Sequence, residues 1–257
     1  LATAVNGVLA LGVTFIIITA GIDLSVGTVM TLSAVMTGLA ITIYQLPVPV
    51  GIMVGILTGT AAGLINGLVI SLMRIPPFIA TLGMMMIARG LALVLSTIET
   101  GTVKPIYFND TPIFRQITMS SVLDPILSPM GLGISVPNAV FILFIAALIA
   151  AFILGKTVLG RYTVAIGSNE EATRLSGVNV ANWKTAVYAL GGVFSGLAGV
   201  MIASRLNSAQ PALGVGYELD AIAAVVIGGT SLSGGEGTIL GTIIGAFIIS
   251  TLTNGLR

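Results

Sequence analysis

The sequence predicts an all-α integral membrane protein, a polytopic helical bundle with broken or re-entrant helices and an internal inverted repeat, forming one transmembrane domain over residues 1–257. Three observations carry this. Hydrophobic residues make up 56% of the chain and charged residues 7%, with a mean hydropathy of +1.11, whereas a soluble domain carries about a quarter charged residues. The apolar residues fall in runs suited to spans of ~20 residues, enough for about eight crossings. Two long polar breaks, 97–137 and 155–182, interrupt those runs.

The same composition removes whole classes of function. The net charge of +1 gives nucleic acid nothing to bind. Zero cysteines exclude disulfides and thiolate metal sites, and zero histidines remove the commonest metal ligand and general base. No catalytic residue and no metal ligand is therefore assigned. The chain opens at Leu1 inside one apolar run and closes at Arg257 just after another. At least one further span is expected on either side, and the lack of a leader says nothing about targeting.

The first span runs from about Ala4 to Ala20 and is closed by GIDLSVG, Gly21 to Gly27. Asp23 is the only acidic or basic residue in the first seventy. It has two readings: a functional intramembrane acid, or a cap that it forms with Ser25 on the free amides of the next helix. The second span covers about Val26 to Tyr44 and ends at the Pro47 and Pro49 turn. The third, about Val50 to Met73, carries Gly51, Gly55, Gly59 and Gly63 on one face, a seam along which another helix can pack closely. Asn66 lies near that surface, able to bond across the seam or to face a polar path.

Arg74 and the Pro76-Pro77 pair mark a turn, and a fourth span covers about Phe78 to Ser96. Met84, Met85 and Met86 read as packing. Arg89 must either find an acid, a carbonyl or water, or snorkel to the nearer surface. The break 97–137 contains Pro105, Pro112, Pro125, Pro129 and Pro137, a spacing that leaves no helix of useful length. Its Glu99, Lys104, Asp110, Arg115 and Asp124 form a mixed-sign surface, suited to a soluble partner or simply to solvent.

A fifth span, about Asn138 to Leu154, leads into the break 155–182. There, Ser168 and Glu171 have capping-box spacing, Glu170 and Glu171 suit the start of a helix, Arg174 suits its end, and Gly177 can stop it in the left-handed conformation. The predicted helix is about two turns long, too short to stand alone in water, so its own domain or a partner must hold it. A sixth span, about Trp183 to Ala203, carries Gly191, Gly192, Gly196 and Gly199. In the stretch from Arg205 to Gly237, the apolar part Ala221 to Ile227 is too short to cross alone and is flanked by glycines, which predicts a broken or re-entrant segment. Glu218 and Asp220 share the alternatives given for Asp23. The final span covers about Thr238 to Leu252.

Positive charge sets the sidedness. Lys156, Arg161, Arg174, Lys184 and, two spans earlier, Arg74 place 155–182 in the cytoplasm, and 97–137 becomes an extracytoplasmic loop. Ala4-Val5 and Asn66-Gly67-Leu68 are echoed by Ala186-Val187 and Asn254-Gly255-Leu256 at similar offsets. An odd number of spans separates the halves, as an inverted repeat requires, and the break after Arg205 then corresponds to GIDLSVG.

GIDLSVG, PPFIATLGMMMIARG (Pro76 to Gly90), GRYTVAIGSNEEATRLSGVNV (Gly160 to Val180) and YELDAIAAVVIGGTSLSGGEGTILG (Tyr217 to Gly241) resemble the permease subunits of bacterial ribose-type ABC importers. The resemblance covers nearly the whole chain. It implies a type II ABC importer-like fold of roughly ten spans per complete subunit, paired with a second permease copy or a close paralogue in the lipid bilayer of the bacterial inner membrane. It also implies a cytoplasmic ATP-binding subunit, which holds ATP and Mg, and a periplasmic sugar-binding protein. This chain would bind no cofactor of its own. The resemblance places the ATPase coupling contact at Asn169, Glu170, Glu171, Ala172, Thr173, Arg174, Leu175, Ser176 and Gly177. The segment 97–137 matches no motif of the family.

The expected activity is ATP-driven import of a monosaccharide, with no chemistry in this chain. Asn66, Asn207, Ser208, Gln210, Thr230 and Ser231 are candidates for the substrate path, each with backbone capping as its structural alternative. Two rivals stand: a proton-coupled secondary transporter using Asp23, Glu218 and Arg89, and a membrane-bound enzyme, which the missing histidine and cysteine disfavour. Pentoses, hexoses and autoinducer-2-type signals all fall within the resemblance.

Overall fold

A computed structural model describes residues 2–98, 101–122, 124 and 135–255. Glu99, Pro125, Pro129, Leu256, Arg257 and the side chain of Asn254 lie outside that description, and with them part of the echoed tripeptide.

The predicted spans are present as α1 (Ala2–Ile18), α2 (Val26–Gly38, extended by a π turn over Leu39–Ile43), α3 (Val48–Leu72), α4 (Pro77–Leu95), α6 (Asn138–Lys156), α9 (Val180–Leu206) and α11 (Ile239–Gly255). Among the described residues, five segments, Val26–Ile43, α3, α4, α6 and α9, are long and apolar enough to cross a membrane; α1 and Ile239–Thr253 are shorter but apolar. Proline sets two of the starts. Pro49 and Pro77 occupy the first turns of α3 and α4, where the missing N–H costs nothing.

The centre of the bundle is α1 and α2, buried almost throughout, together with the part of α9 from Val187 onward. The predicted glycine seam is the contact between α3 and α9. A β-carbon at Gly59 would lie 2.4 Å from the Gly192 carbonyl oxygen and 2.6 Å from the Gly196 nitrogen, so the two backbones touch and no side chain fits between them. On the other side of α3, Met53, Leu57, Leu64 and Leu68 are exposed, as are Phe144, Ile145, Leu148 and Phe152 on α6. These wholly apolar faces suit lipid.

The two breaks come together inside the bundle. After α1 the chain turns at Ala20, in the left-handed conformation with φ 58°, and α2 starts only at Val26. After α9, Asn207 takes the same conformation (φ 52°), the chain passes through residues 208–216, and α10 (Tyr217–Ile227) begins. The two helix starts meet: a β-carbon at Gly27 would lie 2.3 Å from the Gly214 carbonyl oxygen and 2.6 Å from a Glu218 carboxylate oxygen. The short helix α10, with irregular backbone on both sides, is the broken segment expected between Arg205 and Gly237. Gly12 packs on Phe194 and Gly21 on Tyr188, so α1 and α9 run antiparallel. The order of helix, break, helix, helix recurs as α1–α2–α3 and α9–α10–α11, which supports the inverted-repeat reading.

Two expectations need correction. The break 97–137 does contain a helix, α5 (Pro112–Met119): Pro112 sits at its first position, where proline favours helix, and no proline follows within it. Nor is that break only a solvated loop. Its strand β1 (Ile106–Tyr107) pairs antiparallel with β2 (Ser208–Ala209), and the fully buried rings of Phe108 and Phe114 lie 4.3 Å apart. This ribbon closes one end of the bundle. At the other end lie α7 (Val158–Ser168) and α8 (Glu170–Leu175).

Candidate functional site

The candidate coupling site is built on α8. The predicted short helix forms, but its cap differs. Ser168 remains in the last turn of α7 and donates its hydroxyl to the Val164 carbonyl at 2.9 Å. Asn169 is the cap: its side-chain oxygen accepts the Ala172 N–H at 2.9 Å. Glu171 does not reach back to close a capping box, and its carboxylate instead pairs with Arg174 at 3.0 Å. Gly177 ends the helix with φ 84°, as expected from its freedom to adopt that conformation.

One contact ties α8 to α9, and a second ties the neighbouring α7 to α9. The Lys184 ammonium on α9 lies 2.5 Å from Glu170, which also accepts from Arg174 at 3.1 Å. Below it the rings of Tyr162 and Trp183 stack obliquely at 4.9 Å, clamping α7 to the first turn of α9. With α8 anchored by Glu170 and by the buried Thr173, the outer face displays Glu171, Ala172, Arg174, Leu175 and Ser176. Leu175 is 80% exposed, an apolar side chain on a polar helix that no described residue covers. Between α8 and the α3–α4 turn lies a cleft of about 500 Å³ lined by Arg74, Pro76, Glu170, Arg174, Asn179 and Lys184.

The far end of α7 touches the interior breaks. A β-carbon at Gly167 would fall 1.7 Å from the Ile18 carbonyl oxygen and 2.5 Å from the Gly235 nitrogen, and Gly235 donates its N–H to Ile18 at 2.8 Å. α7 is thus in direct contact with the end of α1 and with the glycine turn before α11.

The substrate-path candidates are not gathered into one pocket. Asn66 is buried in the middle of the bundle and donates to the Ser25 hydroxyl at 3.0 Å. Asn207, Ser208 and Gln210 lie at the ribbon end, with Gln210 donating to Ser208 at 3.4 Å. Thr230 and Ser231 lie at the α8 end, the Thr230 hydroxyl being buried without a partner among the described residues.

Asp23 accepts the Ser25 N–H at 2.7 Å and the Ser25 hydroxyl at 2.6 Å. Asp23 thus fixes the turn just before α2 through Ser25, and neither side chain bonds a helix amide, because Asp23 and Asn66 engage the Ser25 hydroxyl. Glu218 takes the equivalent place at α10, accepting the Gly216 N–H at 3.1 and 3.2 Å. Asp220 stands beside it in the first turn of α10, partly exposed. Arg89 is exposed on α4.

Sequence reasoning missed the contribution of Lys184, Tyr162 and Trp183, and of Thr81, whose hydroxyl accepts the Leu24 N–H at 3.2 Å and so ties α4 to the first break. The single tryptophan of the chain, next to a lysine at a helix start, was the available signal.

Comparison with known proteins gives one consistent result. The family described as "Branched-chain amino acid transport system / permease component" matches residues 1–257. The chain is 43% identical over 257 residues to the ribose import permease protein RbsC of Escherichia coli (strain K12), covering 99% of this chain and 75% of that protein. It is 45% identical over 254 residues to the ribose import permease protein RbsC of Bacillus subtilis (strain 168), covering 99% and 74%. With the fructose import permease protein FrcC of Rhizobium meliloti the identity is 36% over 259 residues, covering 99% and 68%. No solved structure matches.

Proposed function

The chain belongs to the family of branched-chain amino acid transport system permease components, and we propose that it is the membrane-spanning permease subunit of an ATP-driven importer for a ribose-like monosaccharide. It is a multi-pass inner-membrane protein. Its relatives named as ribose and fructose import permeases support a sugar as cargo, and they disfavour both the proton-coupled and the enzymatic rivals. ATP and Mg belong to a cytoplasmic ATP-binding subunit, a periplasmic sugar-binding protein delivers the sugar, and a second copy of the permease, or a close paralogue, completes the membrane part.

One observation carries the mechanism: α8 is anchored on one face and bare on the other, with Leu175 80% exposed. A helix of six residues is unstable alone, so such a structure is maintained for something that docks on it. Residues 155–182 are read as cytoplasmic from their positive charge. Closure of the ATP-binding subunits pushes on Asn169 to Gly177, and the Glu170–Lys184 pair passes the displacement to α9. Because α9 and α3 share a glycine seam with no slack, they move as one body. Through Gly167 the same push reaches Ile18 and Gly235, next to the two breaks. Asn66, Asn207, Ser208, Gln210, Thr230 and Ser231 then serve a path at different depths rather than one tight site, as suits a cargo that must be released.

The test is a reconstituted transporter in which Glu171 and Arg174 are both replaced by alanine. Loss of the stimulation of ATP hydrolysis by sugar-loaded binding protein, with the permease still folded, is the expected result. Undiminished stimulation sinks the coupling assignment.

A further inference from the structure

Among the described residues, Arg89 is the one charged side chain exposed in the interior of a membrane-length helix. It follows Pro77 by about 18 Å of helix and precedes Leu95 by about 9 Å. Its guanidinium forms no hydrogen bond or ion pair among the described residues, and α4 contains no acid that could neutralise it.

The opposite face of α4, with Thr81, Met84, Ala88 and Ala92, is buried against the bundle. The outward face is otherwise apolar, with Ile79, Leu82, Met86, Ile87 and Leu91 exposed, and Arg89 is its one charge. A β-carbon at Gly83 or Gly90 would meet nothing within 4 Å, so the surface is hollowed on either side of the arginine. The outward face of α3 carries no charge and that of α6 none before Lys156 at its end, and both suit lipid. The face of α4 does not, because a charged side chain at depth in hydrocarbon is costly and is found facing water or a partner. A dry contact of this face with the same face of a second copy would oppose two guanidinium groups with no acid between them.

We propose that the outward face of α4 lines the water-filled sugar route, with Arg89 donating hydrogen bonds to the hydroxyl and ring oxygens of the sugar in transit. This rests on the importer reading. A guanidinium offers five donors and no acceptor, which matches a neutral polyol and requires no counter-ion. The hollows at Gly83 and Gly90 leave room for a ring beside it.

These 257 residues contain no cysteine, so each cysteine introduced among them is read against a background without thiols in this stretch. Arg89→Cys, Met86→Cys and Gly90→Cys are each introduced into the full transporter in proteoliposomes, with Leu57→Cys and Leu148→Cys on the lipid faces as references. A membrane-impermeant methanethiosulfonate reagent is then applied. Modification needs the thiolate, which forms in water, so the α4 positions should react about tenfold or more faster than the references. Addition of d-ribose with the binding protein should slow the reaction at 89. A cysteine cannot snorkel as arginine does, so reaction rates at all three α4 positions equal to those at 57 and 148 overturn the proposal. Arg89→Leu should lower ribose uptake about tenfold, the weight of one hydrogen bond to a charged group, in a permease that still folds and assembles; undiminished uptake removes the arginine from the route even if the face is wet. Failure of the unsubstituted transporter to import ribose would count against the function proposed above, whereas the labelling rates judge the wet face alone.

Discussion

Glu170 of α8 and Lys184 of α9 meet at 2.5 Å, and this pair joins the exposed helix to the longest helix of the bundle. The lysine is 17% exposed and the glutamate 40%, so solvent screens the pair and its weight in stability is below ~1 kcal/mol. Its weight in coupling should be larger, because no other ion pair connects α8 to α9 among the described residues. Lys184→Met is expected to leave thermal unfolding in detergent nearly unchanged while reducing sugar-stimulated ATP hydrolysis several-fold. Equal effects on both would make the pair a structural tie only.

The seam between α3 and α9 should tolerate nothing larger than glycine. Gly59→Ala places a methyl group against the Gly192 backbone, which cannot rotate away, so the helices must separate. The expected cost is ~1–3 kcal/mol, the range for overpacked interiors. Gly83→Ala on the open face of α4 is the matched control and should be neutral. Unfolding in mixed micelles measures both.

That seam was legible in the sequence because it rests on local regularity: four glycines spaced by four residues on one helix, and a second set on another. The spans were legible for the same reason, as was Gly177 as the stop of α8. Where two local signals compete, sequence gives no decision. Ser168 and Asn169 both favour helix caps, and the serine lost because α7 continues through it, which depends on how Gly167 seats against Ile18. The helix α5 was hidden by counting prolines without their positions, since Pro112 begins a helix as readily as it breaks one. The pairing of Asn66 with Ser25, and of Gly27 with Gly214, links distant parts of the chain and left no local trace.

Asp23 separates an ATP-driven importer from a proton-coupled one. In Asp23→Asn the amide oxygen can still accept the Ser25 N–H, so the turn into α2 is kept and ATP-driven uptake should persist. In Asp23→Ala the buried N–H loses its partner, at a cost of ~1–3 kcal/mol, and the folded yield should fall. Uptake is to be measured in proteoliposomes with and without a protonophore. Abolition of uptake by Asp23→Asn in a folded protein would give the carboxyl a proton-carrying role.

Leu175 offers the cleanest separation of docking from folding. Its side chain is 80% exposed, and substitutions at such surface positions move stability by no more than about 0.5 kcal/mol. An apolar side chain buried only on assembly behaves differently, because anchors at the centre of an interface cost ~2 kcal/mol or more when removed. Leu175→Asp combines loss of the anchor with burial of a charge on docking. The permease should therefore fold and insert normally but bind the ATP-binding subunit at least about tenfold more weakly, since tenfold corresponds to 1.4 kcal/mol. Co-purification at graded concentrations of the ATP-binding subunit measures this directly. Unaltered binding of the Leu175→Asp permease would place the docking surface elsewhere, and the cleft bounded by Arg74 and Arg174 would be the next surface to probe.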